Sequence, residues 1–355
     1  MTTHSKSGIF NPTQKSMYEN NSITGISRYI KAFRKDIPMT KMHKGMAAAF
    51  TGNFIFGLSF LFSTRAFDTA KTILVGKTPI SNADVPVVLA VRFIFAFVIM
   101  SIMIPLLRIK IDFKNKPVWK LLLLGTFQPV IYFIAESFGL KLTGIIVSSV
   151  MIALVPVVCQ FFSALFLKEV PSFMQLICCL LSVAGVVAVT VLSGASEGNT
   201  YLAGIIFLVV AVLSAAAFNV LSRNAAEVFT PFERTYFMFI VSAVFFGAYA
   251  LVATGFKPDL IVSPLKSGEF IVSIIYLGGF SSVGAYFMVN YANTYLPLAR
   301  STVFSNVITV VSTCAGFFAG EPFNLLTVAA CVVIVIGIWG VQHFSGRKDA
   351  DTAKK

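Results

Sequence analysis

Apolar runs long enough to cross a lipid bilayer recur along the 355-residue chain. A helix needs roughly 20 mostly apolar residues to span the hydrocarbon core, because its backbone polar groups must be satisfied within the segment. Alternation of apolar and polar residues, the mark of a β-barrel, is absent from these runs. The sequence therefore predicts an all-α polytopic membrane protein with ten transmembrane helices. Their approximate bounds are 44–66, 85–107, 117–139, 144–167, 173–193, 200–222, 234–255, 269–291, 297–319 and 325–344.

Composition and charge support the same class of protein. Hydrophobic residues make up 57% of the chain and charged residues 12%, a balance that the surface of a water-soluble domain of this length could not carry. The net charge of +13 would suggest nucleic acid in a soluble protein, but here the basic residues concentrate in alternate loops. By the positive-inside rule, both termini are expected in the cytoplasm. We therefore expect a plasma-membrane protein and no nucleic-acid partner.

The two halves of the chain match at a fixed shift. Glu169 and Glu321 are 152 residues apart, and Gly185 and Gly337 keep the same shift. Five helices per half is an odd number, so the second half should enter the bilayer from the opposite side, as in transporters that work by alternating access. The predicted parts are a cytoplasmic basic N-terminal tail (1–43), two five-helix repeats (44–193 and 194–344) and a cytoplasmic C-terminal tail (345–355).

Four stretches carry a pattern shared with known proteins. They are LAVRFIFAF, YFIAESFGLKLTGIIVSS, SSVMIALVPVVCQFFSALFLKE and CCLLSVAGVVAVTVL. Over about residues 44–344 the chain resembles the EamA-type family of the drug/metabolite transporter superfamily. The resemblance implies ten helices, cytoplasmic termini, a central cavity between the halves, and transport of small metabolites, amino acids or xenobiotics, often outward. Two departures are Ile308 and Thr309, where the family tends to place a second proline, and Lys168, where a glycine often precedes the glutamate.

Two ionisable residues lie well inside the predicted helices, where burial of charge is costly enough to indicate function. Arg92 and Glu136 lie at depths that would allow them to pair. We predict that both face the cavity from the outer side, where they hold a gate or bind a zwitterionic substrate. The alternative is that Arg92 extends to the headgroups and Glu136 simply reaches water. Proton coupling, passive transport and exchange all stay open.

Further polar residues within the runs are candidates for the translocation pathway. Gln128 and Tyr132 are four residues apart and share a helical face with Glu136, so they predict a polar stripe. Single amides are weaker candidates, because an isolated Asn more often makes a hydrogen bond between helices. These amides are Asn53, Asn219, Asn290 and Asn306.

Four other residues are expected to shape the backbone. Glu169 and Glu321 should cap the helices that follow them, because a carboxylate accepts the free N–H groups of a helix start. Pro129 and Pro156 remove intrahelical hydrogen bonds within their runs and predict bends, either static or moving during transport.

The sequence thus favours a secondary transporter that moves a small metabolite, amino acid or drug-like solute by alternating access, with export as the direction. An enzyme is not expected, since the sequence indicates no catalytic set, metal ligands or cofactor motif. A lipid or lipid-carrier flippase of the same fold and a non-transporting scaffold or sensor stay open as alternatives. The expected partners are a small-molecule substrate and the lipid bilayer, with protons and a second copy in a homodimer as further candidates.

Overall fold

The computed structural model describes residues 39–114, 116–167, 172–194, 198–296, 304–321 and 325–352. The chain divides into two compact units, Met1–Lys44 and Gly45–Lys355. Within the first unit, the described residues 39–44 are helical. The predictions for the rest of the N-terminal tail, for Lys168 and Glu169, and for the last three residues concern positions outside the described ranges.

Helices make up nearly all of the described residues, and none of those residues is in a strand, which confirms the predicted all-α class. The α-helices are α1 (Met39–Leu74), α2 (Asp84–Leu106), α3 (Trp119–Gly125), α4 (Tyr132–Ile152), α5 (Val155–Leu167), α6 (Phe173–Gly194), α7 (Gly198–Ala225), α8 (Pro231–Ala253), α9 (Pro258–Val262), α10 (Gly268–Ile274), α11 (Tyr286–Tyr295), α12 (Asn306–Phe318) and α13 (Leu325–Thr352). Two π-helical segments, π1 (Thr126–Ile131) and π2 (Ile275–Ala285), join α3 to α4 and α10 to α11.

Six helical stretches of the described residues are long and apolar enough to cross a membrane. They are Met42–Leu74, Asp84–Leu106, Trp119–Ile152, Asn199–Ala225, Pro231–Ala253 and Gly268–Tyr295. Shorter apolar helices occupy Phe173–Val189, Asn306–Phe318 and Val328–Gly340. Large apolar side chains such as Leu180, Val244 and Phe318 are exposed, which suits a surface that meets lipid. The chain is therefore a multi-pass membrane protein.

Gly144 divides the 34-residue stretch Trp119–Ile152. Its φ of +82° and ψ of 177° are rarely adopted by residues with a Cβ, so the helix is interrupted at this glycine. The Glu321 carboxylate accepts the backbone N–H groups of Ile145 and, at 3.0 Å, of Ile146. The sequence predicts that Glu321 caps the helix after it. In the structure, Glu321 caps the segment of α4 after Gly144, in the other half of the chain, whereas residues 322–324, which lead into the helix after Glu321, lie outside the described ranges.

Helices α6 and α13 pack closely through two glycines that are 152 positions apart. A Cβ on Gly185 would lie 2.6 Å from Ile334 Cγ1, and a Cβ on Gly337 would lie 2.4 Å from Ser182 Oγ. Ser182 and Ile334 are also 152 positions apart, so each contact is the counterpart of the other. As residue numbers rise along α6 they fall along α13, and the two helices run antiparallel where they touch. Equivalent surfaces that meet in this way indicate a local two-fold relation.

Aromatic side chains fix the positions of α2, α4 and α8 relative to one another. The Phe93 ring stacks on Phe246 with centroids 5.4 Å apart and meets Phe133 edge-on at 5.0 Å. Phe93 and Phe246 are fully buried and Phe133 nearly so, and such pairs add to the energy of burial. This packing holds the face of α2 that also carries Arg92.

Candidate binding cavity

A cavity of about 110 Å³ lies between residues from both halves of the chain. Since one water needs only about 10–15 Å³ of such space, the cavity can hold several waters or a small solute. Six of the eight binding residues predicted from the sequence line it, whereas Asn290 and Asn306 do not. Those six are Asn53, Arg92, Gln128, Tyr132, Glu136 and Asn219. The remaining polar lining consists of Ser59, Tyr286, Asn293 and Ser305.

Arg92 is held inside the protein, with 2% of its surface exposed. Its Nε donates to Ser282 Oγ at 2.9 Å and its Nη2 to Ser281 Oγ at 3.1 Å, while its guanidinium carbon lies 4.4 Å from the centre of the Phe133 ring. This geometry disagrees with the alternative in which Arg92 extends to the headgroups. Nη1 has no acceptor among the described residues, so its two N–H groups remain available to a solute in the cavity.

Glu136 supplies the opposite charge. It is half-buried one turn after Tyr132, whose hydroxyl donates to Glu136 Oε1 at 3.0 Å. Glu136 and Arg92 line the same cavity, yet among the described residues they form no ion pair within 4.0 Å. The direct pairing that their predicted depths allow is therefore not present in this structure. A cation and an anion line one cavity separately, and each can bind a complementary group.

The two π-helical segments occupy equivalent positions in the two halves; π1 lines the cavity through Gln128, and π2 holds the cavity-lining Arg92. Shifted by 152 positions, π1 falls within π2. In π1, Gln128 has a non-helical φ of −142° and ψ of 117°, and its Nε2 donates to Tyr286 Oη at 2.8 Å. In π2, Ser281 and Ser282 accept the hydrogen bonds of Arg92. Interrupted helices in corresponding positions of two halves are the best pointer to a binding site in a secondary carrier.

Both prolines predicted to bend helices lie at irregular backbone next to the cavity. Pro129 lies within π1, where Ser214 Oγ of α7 donates to the Phe127 carbonyl at 2.6 Å. Pro156 follows the turn between α4 and α5 and lines the cavity. Irregular backbone at membrane depth is tolerated where side chains satisfy it or where it borders a cavity, and both conditions are met.

The predicted asparagines differ in their surroundings. Asn53 and Asn219 line the cavity, and their Nδ2 atoms donate to carbonyls of their own helices, at 2.6 Å and 2.9 Å. Asn290 is 1% exposed and lies outside the cavity lining; its Nδ2 donates to Thr235 Oγ1 at 2.9 Å. Asn290 thus makes the bond between helices that is the usual role of an isolated Asn.

Arg234 is a fully buried charge that the sequence does not single out. Its guanidinium donates to the Ser222 carbonyl at 2.9 Å, the Asn290 carbonyl at 3.2 Å and Thr294 Oγ1 at 3.0 Å. These acceptors lie near the C-terminal ends of α7 and α11, where the helix dipole favours a cation. The sequence does carry a signal for the position of Arg234. TPFE is a helix-capping pattern with Thr230 as the N-cap, so α8 begins before Arg234 and contains it.

Comparison with known proteins agrees with this architecture. The model of the EamA-like transporter family matches residues 43–191 and again 202–342. "Uncharacterized transporter YcxC" of Bacillus subtilis (strain 168) is 31% identical over 296 residues, covering 82% of this chain and 91% of that protein. An "Uncharacterized transporter" of Archaeoglobus fulgidus is 29% identical over 286 residues, covering 80% of this chain and 96% of that protein.

A solved structure shows the same fold. A crystal structure at 18% sequence identity superposes with a TM-score of 0.54 and covers 83% of this chain and 98% of that one. The repeated family match spans most of the chain, and the named relatives are transporters rather than enzymes. The resemblance noted in the sequence is thereby confirmed, and this chain belongs to the EamA-like transporter family.

Proposed function

We propose that this protein is a secondary transporter that moves a small zwitterionic metabolite or amino acid across the plasma membrane by alternating access, in the export direction. The observation that carries the proposal is that Arg92 and Glu136 line one cavity without pairing directly. In this proposal, the solute carboxylate accepts from Arg92 Nη1 and the solute ammonium group donates to Glu136.

The lining of the cavity favours a zwitterion over a simple ion. An anionic solute would leave the Glu136 carboxylate without a positive partner. A cationic solute would leave Nη1 of Arg92 without an acceptor. Either case costs free energy, because an uncompensated polar or charged group at low dielectric is unfavourable. Aromatic rings also line the cavity, with Phe56 edge-on to Tyr286 at 5.0 Å between centroids. Such surfaces suit a solute with an apolar or aromatic body.

We infer ten membrane-spanning helices with cytoplasmic termini, arranged as repeats at 44–193 and 194–344. Six helical stretches are long and apolar enough to span the membrane. The break at Gly144 divides one of them between two successive spans, which makes seven. Helices α6, α12 and α13 supply three more. The antiparallel, reciprocal contact of α6 with α13 supports a two-fold axis in the membrane plane, which is the geometry of an inverted repeat. Inverted repeats give the two conformations that alternating access needs.

Flux in proteoliposomes tests the function. Vesicles that contain the purified protein are loaded with radiolabelled phenylalanine, phenethylamine or phenylpropionate, which share a ring but differ in charge. We expect saturable flux of phenylalanine and little flux of the two singly charged compounds. Flux of the amine or the acid alone would contradict the zwitterion proposal. Movement of a fluorescent lipid without flux of any of these solutes would indicate a flippase instead.

Replacement of Glu136 tests the site itself. Glu136→Gln keeps the shape of the side chain but removes the charge that binds the solute ammonium group. We expect phenylalanine flux to fall about tenfold, because a hydrogen bond to a charged group is worth at least that factor. Glu227→Gln, at an exposed glutamate just after α7, is the matched control and should transport normally. Unchanged flux and unchanged pH dependence in Glu136→Gln would remove Glu136 from the mechanism.

A further inference from the structure

Three oxygen atoms on α12, those of Asn306, Thr309 and Thr313, are buried without hydrogen-bond partners among the described residues, and the first two residues directly follow the cavity-lining Ser305 and Ile308. Asn306 Oδ1 and Thr309 Oγ1 have no partner within the described parts of the chain, and the two residues are 9% and 1% exposed. A buried polar atom without a partner costs free energy, and native structures keep few of them. Two such atoms one turn apart on the same helix therefore need an explanation.

The position of these atoms supplies an explanation for their missing partners. Ser305, directly before α12, and Ile308 within α12 line the cavity, so the pair Asn306 and Thr309 borders the cavity face of α12. At 3.6 residues per turn, Thr309 lies about 40° and Asn306 about 100° around the helix from Ser305. Helix α12 packs against α4 in this structure. A rotation or tilt of α12 relative to α4 would carry both oxygens into the cavity.

The structure contains the breaks that such a movement requires. Gly144 interrupts α4 at one end of the segment that packs on α12, and a turn at residues 153–154 ends it. Glu321 caps the start of that segment, and Gly320 beside it has a φ of +91°. Backbone positions of this kind, at the ends of helical elements, commonly absorb the dihedral changes of a moving segment.

We propose that Asn306 and Thr309 form a second polar site on the transport path, which is covered in this structure and opens to the cavity when α12 moves away from α4. Both oxygens accept hydrogen bonds, so the site binds the ammonium or hydroxyl group of the solute, with water in its place when the solute is absent. The inference rests on the proposed alternating access. The hydrogen bonds that Asn306 and Thr309 lack in the covered state are then made in the open state.

Cysteine labelling tests whether the site opens. In a variant whose five native cysteines are replaced by alanine or serine, Thr309→Cys is exposed in proteoliposomes to a small water-soluble methanethiosulfonate. We expect labelling of Thr309→Cys. Ile334→Cys is the control, since Ile334 is equally buried but lies in the α6–α13 contact, and it should stay unlabelled. A Thr309→Cys protein that is folded and resists the reagent as fully as Ile334→Cys would overturn the proposal.

A second variant in the native background tests the role of the site in transport. Thr309→Val keeps the shape and removes the unpaired oxygen, so we expect an unfolding temperature at or above that of the wild type. Phenylalanine flux should fall about tenfold, the value of one hydrogen bond to a charged group. Thr254→Val, at a buried threonine that bonds its own helix, should leave flux unchanged. Wild-type flux in Thr309→Val would reject the role in transport.

The two experiments separate the inference from the function on which it rests. If the wild-type protein carries no phenylalanine, the proposed function fails, while labelling of Thr309→Cys still reports whether α12 and α4 separate. If the wild-type protein transports and Thr309→Cys is not labelled, the function stands and the second site is rejected.

Discussion

Among the described residues, two arginines are buried, and their surroundings differ. Arg234 donates to carbonyl and hydroxyl oxygens at the ends of α7 and α11 and lines no part of the cavity. Arg92 is bound on one side by Ser281 and Ser282 and keeps Nη1 for the cavity. A buried charge that is held by helix ends away from the cavity indicates a structural role, and one with a free donor at a cavity indicates binding.

Arg234→Met should therefore destabilise the fold. It leaves the Ser222 and Asn290 carbonyls without their charged donor, and we expect the free energy of unfolding in detergent to fall by more than about 2 kcal/mol. Arg223→Met, in the last turn of α7, is the control and should change stability little. If both variants unfold at the wild-type temperature, the buried guanidinium is not what joins these helices.

The location of a single residue inside the protein could be predicted from sequence where a charge stands deep in an apolar run. Charge deep in an apolar run marks Arg92 and Glu136 without any knowledge of their neighbours. The asparagines are different, because whether Asn53 or Asn290 reaches the cavity depends on helix rotation, which a run of apolar residues on all faces leaves undetermined. Ser281 and Ser282 stand in a stretch rich in glycine, a composition that favours close packing of helices, and their bonds to Arg92 appear only in the tertiary structure.

Glycines allow helices α6 and α13 to approach each other closely. In the α6–α13 pair, a Cβ on Gly337 would lie 2.9 Å from the Cys178 carbonyl and 2.4 Å from Ser182 Oγ. Backbone atoms cannot move aside as the end of a flexible side chain can. The identity of the residue at this position therefore sets the distance between the two helices.

Gly337→Ala should accordingly reduce stability through overpacking. We expect a loss of about 1–3 kcal/mol, measured as a lower midpoint of unfolding in detergent. Gly268→Ala is the matched control, since its Cβ would meet no atom within 4 Å, and it should be neutral or slightly stabilising. Equal behaviour of the two variants would mean that α6 and α13 are not in close contact.

The positions of the helices could be predicted from the apolar runs, whereas the breaks within them could be predicted only in part. Pro129 predicts an irregularity in the third run because it lacks an N–H, and π1 lies there. The matching π2 contains no proline and is built on a stretch of glycine and serine, so composition gives only a weak signal for it. The cap that Glu321 places on α4 could not be predicted, because it joins residues 176 and 175 positions apart.

For the molecule as a whole, the inverted repeat predicts the side on which each loop lies. Single cysteines at Gly76, after α1, and at Lys114, after α2, should be labelled from opposite faces of the membrane. An impermeant maleimide applied to intact cells should modify Gly76→Cys and should modify Lys114→Cys only after lysis. Tags at the two ends of the chain should, like Lys114→Cys, become accessible only after lysis. Ends on opposite faces would refute the arrangement of ten helices with cytoplasmic termini.

The bond between Glu321 and the helical turn after Gly144 also affects how the chain is made. During synthesis, the N–H groups of Ile145 and Ile146 emerge from the ribosome long before the carboxylate that receives them. The N–H donors of that turn lack the Glu321 carboxylate, and stay exposed to lipid headgroups or water, until nearly the whole polypeptide has been inserted. The first half of the protein therefore cannot reach its final form alone, and its maturation depends on the last loops to be translated.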